Sequence, residues 1–282
     1  MKKSCPVLII QGGAGSGYKS ESRKKRIRSK LKKILAQVYP ILVRRNAIEA
    51  VTEAVRLMED DPLFNAGYGS QLQADGRARL SAAVMEGSSR RFAGVINAEG
   101  IRNPVLLARE LLTRRSRVLD GYGAVRLARE IGLEFQKNPH PLSVKRWRQR
   151  KGDACDTVGA CALDGRGRLA AATSTGGRGF EYPGRVSDSG MPVASYASSV
   201  CAVSATGTGE EIMDEGLAVR IAVRVEDGIS LARVFSKTFR EVVRHGKKMA
   251  AIGLDAKGNI AWGKSTESLA FAWCKADQFK IF

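Results

Sequence analysis

The chain predicts a layered α+β fold, in which helices pack on two stacked sheets, and three observations carry that expectation. Short strands cluster in mid-chain at TVGACALD, RLAAATST and VCAVSATG. Helical apolar spacing comes in groups before and after them, without the strict β/α alternation of a doubly wound sheet. At 282 residues and 44% hydrophobic content the chain can bury one sizeable core, so a single compact unit is expected.

Taken in order, Val7 to Ile10 is an apolar run after two lysines. It is far shorter than the roughly 18 to 20 residues of a membrane helix and too short for a signal-peptide core, so it reads as a buried first strand. Residues 26–60 carry apolar side chains at Ile27, Leu31, Ile34, Leu35, Val38, Ile41 and Leu42, then Ala47, Val51, Ala54, Val55 and Met58. That spacing predicts two helices, or one kinked helix, interrupted near Pro40. DPLFNAGYGSQLQADGRARLSAAVMEG predicts a glycine-rich loop feeding two strands. NPVLLARELLTRR and Gly123 to Phe135 are helical again. The polar, proline-containing stretch 136–156 lacks periodicity and is expected to be an exposed, flexible linker. Beyond it TVGACALD and RLAAATST form a hairpin, VCAVSATGTGEEI passes from strand through a glycine loop to a helix start, and AAIGLDAKGNIAWG repeats the hairpin pattern. Helices are expected at Met213 to Val225 and Ser230 to Val243.

The net charge of +19 is uneven: residues 1–156 hold 31 Lys and Arg against 15 Asp and Glu. Two clusters, 19–33 and 144–151, hold much of it. Either could meet nucleic acid or another anionic surface, but no nucleic-acid motif accompanies them, and a solvated charged helix face or a flexible linker in a basic proteome is the favoured reading. Five cysteines without a CxxC pair suit a reducing compartment, so a cytoplasmic location is expected.

Chemistry is best sought at Thr157, which follows Asp156 and opens the first mid-chain strand. A threonine hydroxyl is a weak nucleophile and needs a base within hydrogen-bond reach. A cut between Asp156 and Thr157 would supply one, because the freed α-amine has an ordinary pKa of about 7.7 to 8.0. No rival apparatus is evident: His140 and His245 lie in polar surroundings, and GxSxG, HExxH, Walker and metal-spaced Cys/His patterns are absent.

Several ordered motifs sharpen this. Asp156-Thr157-Val-Gly-Ala-Cys-Ala-Leu-Asp is followed by Thr173-Ser174-Thr175-Gly-Gly, Pro183-Gly184-Arg185-Val186-Ser187-Asp188-Ser189 and Thr206-Gly207-Thr208-Gly209-Glu210. Upstream stand Gly12-Gly13-Ala14-Gly15, Phe64-Asn65-Ala66-Gly67 and Arg102-Asn103-Pro104-Val105. Together they resemble the plant-type asparaginases, or isoaspartyl peptidases, which are N-terminal nucleophile hydrolases. The resemblance covers nearly the whole chain and implies a four-layer αββα sandwich, cut into an α chain of residues 1–156 and a β chain of 157–282. It implies a Thr157 acyl-enzyme mechanism on β-aspartyl dipeptides and the side-chain amide of L-asparagine, with Thr175 hydrogen-bonded to the nucleophile and Asn65 near it. Thr206 and Gly207 would form an oxyanion hole. Arg185 would grip a substrate α-carboxylate, Asp188 and the Gly209 carbonyl its ammonium, and Thr208 would line the same pocket. No cofactor is implied for catalysis; a structural sodium ion held by backbone carbonyls of the 58–68 loop and a homodimer of αβ units are.

Departures from the family pattern are Gln11, Ser81, Lys247, Lys248 and Ser268, which bear on substrate choice and rate. Asp156 before the nucleophile is similar to aspartylglucosaminidase and threonine aspartase. A glycosylasparaginase-like amidase and a weakly active relative with a basic, anion-binding surface therefore stand as alternatives.

Overall fold

The computed structural model describes residues 4–15, 20–150, 157–276 and 278–282. Strand β1 (Val7–Ala14) is buried along its length. Leu8 and Ile10 enter one apolar cluster while Val7 and Ile9 enter another, so the run is continuously apolar because both faces of the strand are covered.

Helix α1 (Glu21–Arg44) starts where the Ser20 hydroxyl accepts the Arg23 N–H, and it buries the expected stripe from Ile27 to Leu42. The expected interruption near Pro40 is absent. Pro40 is exposed, as is Ala36 one turn earlier, so the carbonyl deprived of a partner by the proline faces solvent and the helix continues. The break falls at Asn46, whose side chain accepts the Glu49 N–H at 2.9 Å and opens α2 (Ala47–Glu59). The basic residues Lys25, Arg26, Arg28, Lys32 and Lys33 lie on the exposed side of α1, beside the ion pairs Lys24–Glu21 and Lys30–Asp61.

Strands β2 (Arg79–Glu86) and β3 (Arg91–Glu99) pair antiparallel as expected. Helix α3 (Pro104–Leu111), the short β4 (Val118–Leu119) and α4 (Gly121–Glu130) follow. Helix α4 stops before Gly132, whose φ of +70° ends it short of the expected Phe135. The stretch expected as a flexible linker contains a helix, α5 (Pro141–Arg148), with proline in its first turn and His140 Nδ1 accepting the Leu142 N–H. Its Trp147 indole N–H donates to the Gln73 carbonyl at 3.0 Å. Asp156 and the remainder of that stretch, 151–156, lie outside the described residues.

The second half supplies β5 (Val158–Leu163), β6 (Leu169–Thr175), β7 (Ser195–Ala197) and β8 (Cys201–Gly207). Helices α6 (Gly209–Glu215), α7 (Leu217–Glu226) and α8 (Leu231–Arg244) come next. The helix expected across Met213 to Val225 is divided by Gly216 at φ +54°. Strands β9 (Met249–Asp255), β10 (Ile260–Lys264), β11 (Leu269–Lys275) and β12 (Gln278–Ile281) complete the chain.

Among the described residues eight strands form one sheet in the order β12-β11-β1-β5-β6-β2-β3-β4, and four form a second in the order β10-β9-β8-β7. One core cluster lies between the large sheet and α1 to α4 (Leu8, Leu35, Val51, Val84, Leu107). A second joins inward residues of both sheets (Ile9, Leu163, Ala171, Ile252, Phe271), and a third lies between the small sheet and α7 and α8 (Val203, Ile221, Phe235). Among the described residues no helix is long and apolar enough to cross a membrane. Strands β5 and β6 therefore sit mid-sheet, covered on both faces, and this is what holds Thr157 in place.

Candidate active site

The site begins at the paired ends of β5 and β6. Their antiparallel register matches Val158 to Ser174, and one step further the Thr157 hydroxyl donates to Thr175 Oγ1 at 3.3 Å, both residues being buried. Beyond β6 the chain turns sharply. The Gly177 N–H returns to Thr175 Oγ1 at 3.2 Å, the Gly176 N–H donates to the Asn65 carbonyl at 3.0 Å, and Asn65 Nδ2 donates to the Gly177 carbonyl at 2.5 Å. Asn65 thus fixes the turn beside the threonine pair.

Alternation along β6 gives its two faces different tasks. Thr173 shares a face with Thr175, and its hydroxyl meets Ser204 Oγ at 2.9 Å and Ser195 Oγ at 3.1 Å, a buried bridge between the sheets. Thr206, two residues beyond Ser204 on β8, lies on the face turned toward β6; its hydroxyl is buried without a hydrogen-bond partner. On the opposite face, Ser174 donates to Glu59 Oε1 at 2.6 Å, which also accepts the Val105 N–H at 3.2 Å. Burial pushes the Glu59 carboxyl up to about 8, so it is largely protonated at neutral pH.

A second group carries charge. Arg185 Nε donates to Glu210 Oε1 at 2.8 Å and Nη1 to Glu181 Oε1 at 3.3 Å, while Nη2 is buried without a partner. Asp188 accepts the Ser187 hydroxyl through Oδ1 at 3.1 Å, and its Oδ2 is likewise unpartnered. Burial pushes the Asp188 carboxyl up to about 6, against the lowering pull of Arg185 and Ser187. Gly209 closes this space: a Cβ there would stand 2.4 Å from Arg185 Nη2 and 2.6 Å from Asp188 Oδ1. Buried polar atoms normally find partners. Arg185 Nη2 and Asp188 Oδ2, on two side chains that meet at Gly209, are among the buried atoms that do not, and Thr206 Oγ1 on β8 is another.

Of the sequence-derived residues, Thr157, Thr175 and Asn65 belong to one hydrogen-bonded group, and Gly209 lies against Arg185 and Asp188 in a second. Gly207, at φ +141°, carries the chain from β8 into α6. The Thr208 side chain makes no capping bond; its N–H donates to the Lys248 carbonyl at 3.0 Å. The glycine-poor stretch at Lys247 and Lys248 is tied to α6 by charge, with Lys247 Nζ 3.1 Å from Asp214 and the Lys248 N–H on Glu211 at 2.5 Å. Gln11 accepts the Gly13 N–H at 2.7 Å, Ser81 stands opposite Thr175 in register, and Ser268 donates to the Gly15 carbonyl at 2.6 Å. Sequence reasoning did not single out Glu59 or Glu181. Glu210 closes the Thr206–Glu210 motif, which by itself assigns it no role.

The Asparaginase family model matches residues 4–154 and 136–282. A protein of Nostoc sp. named isoaspartyl peptidase/L-asparaginase is 42% identical over 95% of this chain and 91% of its own. A Synechocystis sp. protein of the same name is 39% identical over 95% and 87%. The isoaspartyl peptidase of Escherichia coli is 36% identical over 95% and 92%. With similarity of this extent over nearly its whole length, the chain belongs to the asparaginase family.

Proposed function

We propose that this protein is an autoprocessed threonine hydrolase that cleaves the side-chain amide of L-asparagine and the β-aspartyl bond of isoaspartyl dipeptides. The observation that carries the reading is the buried Thr157–Thr175 hydroxyl pair at a strand start, with the Arg185, Asp188 and Gly209 enclosure in the same fold. The apolar clusters on both faces of each sheet support a four-layer αββα arrangement.

In the first step Thr157 Oγ attacks the Asp156 carbonyl carbon. The Asp156–Thr157 C–N bond breaks as the hydroxyl proton passes to the departing nitrogen, which becomes the free α-amine, and water then hydrolyses the resulting ester to release the Thr157 hydroxyl and an Asp156 carboxylate. In turnover that amine takes the hydroxyl proton as Oγ attacks the substrate's amide carbonyl. Thr206 Oγ and the Gly207 N–H stabilise the negative oxygen that forms; losing one such donor typically costs about 3 to 4 kcal/mol of barrier. The amine then passes its proton to the leaving nitrogen, and water frees the aspartyl product from the ester. Arg185 Nη2 binds the α-carboxylate, and Asp188 Oδ2 with the Gly209 carbonyl binds the ammonium.

The 58–68 loop is read as a sodium site of structural character. A Cβ at Gly67 would fall 2.5 Å from the Glu59 carbonyl oxygen, and one at Gly69 2.1 Å from that of Phe64 and 2.9 Å from that of Pro62. These distances show the loop backbone packed closely at both glycines; a hard cation held there would take its ligands from the loop's carbonyl oxygens and would fix the loop bearing Asn65. A homodimer of αβ units completes the reading.

The test is processing and turnover. Purified protein gives two bands on a denaturing gel, with Thr157 as a new N-terminus, and hydrolyses L-asparagine and β-Asp-Leu; fully cleaved protein without turnover overturns the activity. A pH dependence follows from Asp188. Protonation removes the charge that pairs with the substrate ammonium, so kcat/KM for L-asparagine falls as pH drops through about 6. A pH–rate profile checks this, and Asp188→Asn lowers kcat/KM and loses that acid limb.

A further inference from the structure

Glu181 lies between the two halves of the site and is among their most enclosed charged groups, its side chain 11% exposed. Its Oε1 accepts the Arg178 N–H at 2.6 Å and its Oε2 the Gly179 N–H at 3.2 Å, closing the turn that follows β6. The same Oε1 accepts Arg185 Nη1 at 3.3 Å. Gly177 rests directly against it: a Cβ at that position would stand 2.7 and 2.8 Å from the two carboxylate oxygens. Since Gly177 also donates to Thr175, an unbroken series of contacts runs from Thr157 through Thr175, Gly177 and Glu181 to Arg185.

A guanidinium on a long, rotatable stem needs more than one fixed acceptor to hold one donor in one direction. Glu210, the other partner of Arg185, is 52% exposed and also lies 3.8 Å from Arg178, so it is divided and solvated. Glu181 is enclosed and anchored by two backbone N–H groups. With Glu210 on Nε at 2.8 Å, Glu181 on Nη1 at 3.3 Å supplies the enclosed second acceptor that fixes the guanidinium, and Nη2 is the donor left for a ligand beside Gly209 and Asp188.

We propose that Glu181 is a positioning residue that aims Arg185 at the substrate's α-carboxylate and ties that clamp to the turn supporting the Thr157–Thr175 pair. This rests on the reading of Arg185 given above. It makes recognition of the α-carboxylate, specifically, depend on a side chain that never touches substrate.

Two ligands that differ by that single group provide the test: L-aspartate, and β-alanine, which lacks the α-carboxylate. Their dissociation constants are measured by calorimetry for cleaved wild-type protein, Glu181→Ala and Glu181→Gln. L-aspartate binding weakens about tenfold in Glu181→Ala, while β-alanine changes by less than about twofold. Glu181→Gln keeps an acceptor oxygen for the turn but not the charge, and weakens L-aspartate about threefold. A general loosening of the fold would weaken both ligands in parallel; that result, or unchanged L-aspartate binding, overturns the proposal. Should Glu181→Ala fail to fold, the same ratio in Glu181→Gln decides. Wild-type protein that binds neither ligand and does not hydrolyse L-asparagine would instead overturn the functional reading, so the two failures are distinct.

Discussion

Thr157→Ala yields one full-length band on a denaturing gel after prolonged incubation and loses at least about 10⁴-fold in turnover of L-asparagine, whereas wild-type protein gives two bands and turns over. The size of the effect follows from two roles meeting in one residue. On the proposed mechanism its hydroxyl is the nucleophile for cutting its own chain, and after the cut its nitrogen is the base for every later turnover. Removing Oγ therefore removes both the nucleophile and the step that would create the base. The fold is expected to survive, because Thr157 contributes no large apolar surface and β5 is held from Val158 onward by β1 and β6. Thr157→Ser separates the roles. It retains Oγ and the means to free an amine, so it gives two bands and keeps turnover, slower by about tenfold because the lost β-methyl no longer restricts the hydroxyl's rotamer. A cleaved Thr157→Ala protein with wild-type turnover would contradict the assignment outright.

What could be read in advance follows the physics of each element. Helices α1 and α2, and the β5–β6 hairpin, were legible because each buries a periodic apolar face. Pro40 misled because its cost depends on which way the deprived carbonyl faces, and residue identity does not disclose that. Helix α5 was missed for a related reason: it starts on Pro141 and the His140 cap and docks through hydrogen bonds from Trp147 and the buried Ser143, with no apolar stripe to announce it. At the candidate site, Thr157, Thr175, Arg185, Asp188 and Gly209 could be proposed because they stand in ordered motifs that resemble the family's. Glu59 and Glu181 were not. Each is a charged residue made meaningful by three-dimensional company, Glu59 by the hydroxyl of Ser174, 115 positions away, and Glu181 by a tight turn at Gly177 that brings a backbone against its carboxylate.

Gly209→Ala is expected to leave folding and cleavage intact and to raise the KM for L-asparagine by about 10² to 10⁴-fold. A methyl group at this position would stand 2.4 Å from Arg185 Nη2 and 2.6 Å from Asp188 Oδ1, inside the contact distance of any real Cβ. It fills the space assigned to the substrate's α-carbon and pushes apart the two groups that would bind its charges. Each charge-assisted hydrogen bond so lost is worth about 1.5 to 3 kcal/mol, and two of them account for the range. The backbone offers no objection, since Gly209 opens α6 without a positive φ and alanine is about 1 kcal/mol better than glycine inside a helix. Thr157 and Thr175 stay paired on the other side of the site, so the variant still appears as two bands and melts within a few degrees of wild type. The combination separates substrate binding from nucleophile formation: a fully cleaved, stable Gly209→Ala enzyme with an unchanged KM would mean that the substrate's charged groups do not lie between Arg185 and Asp188.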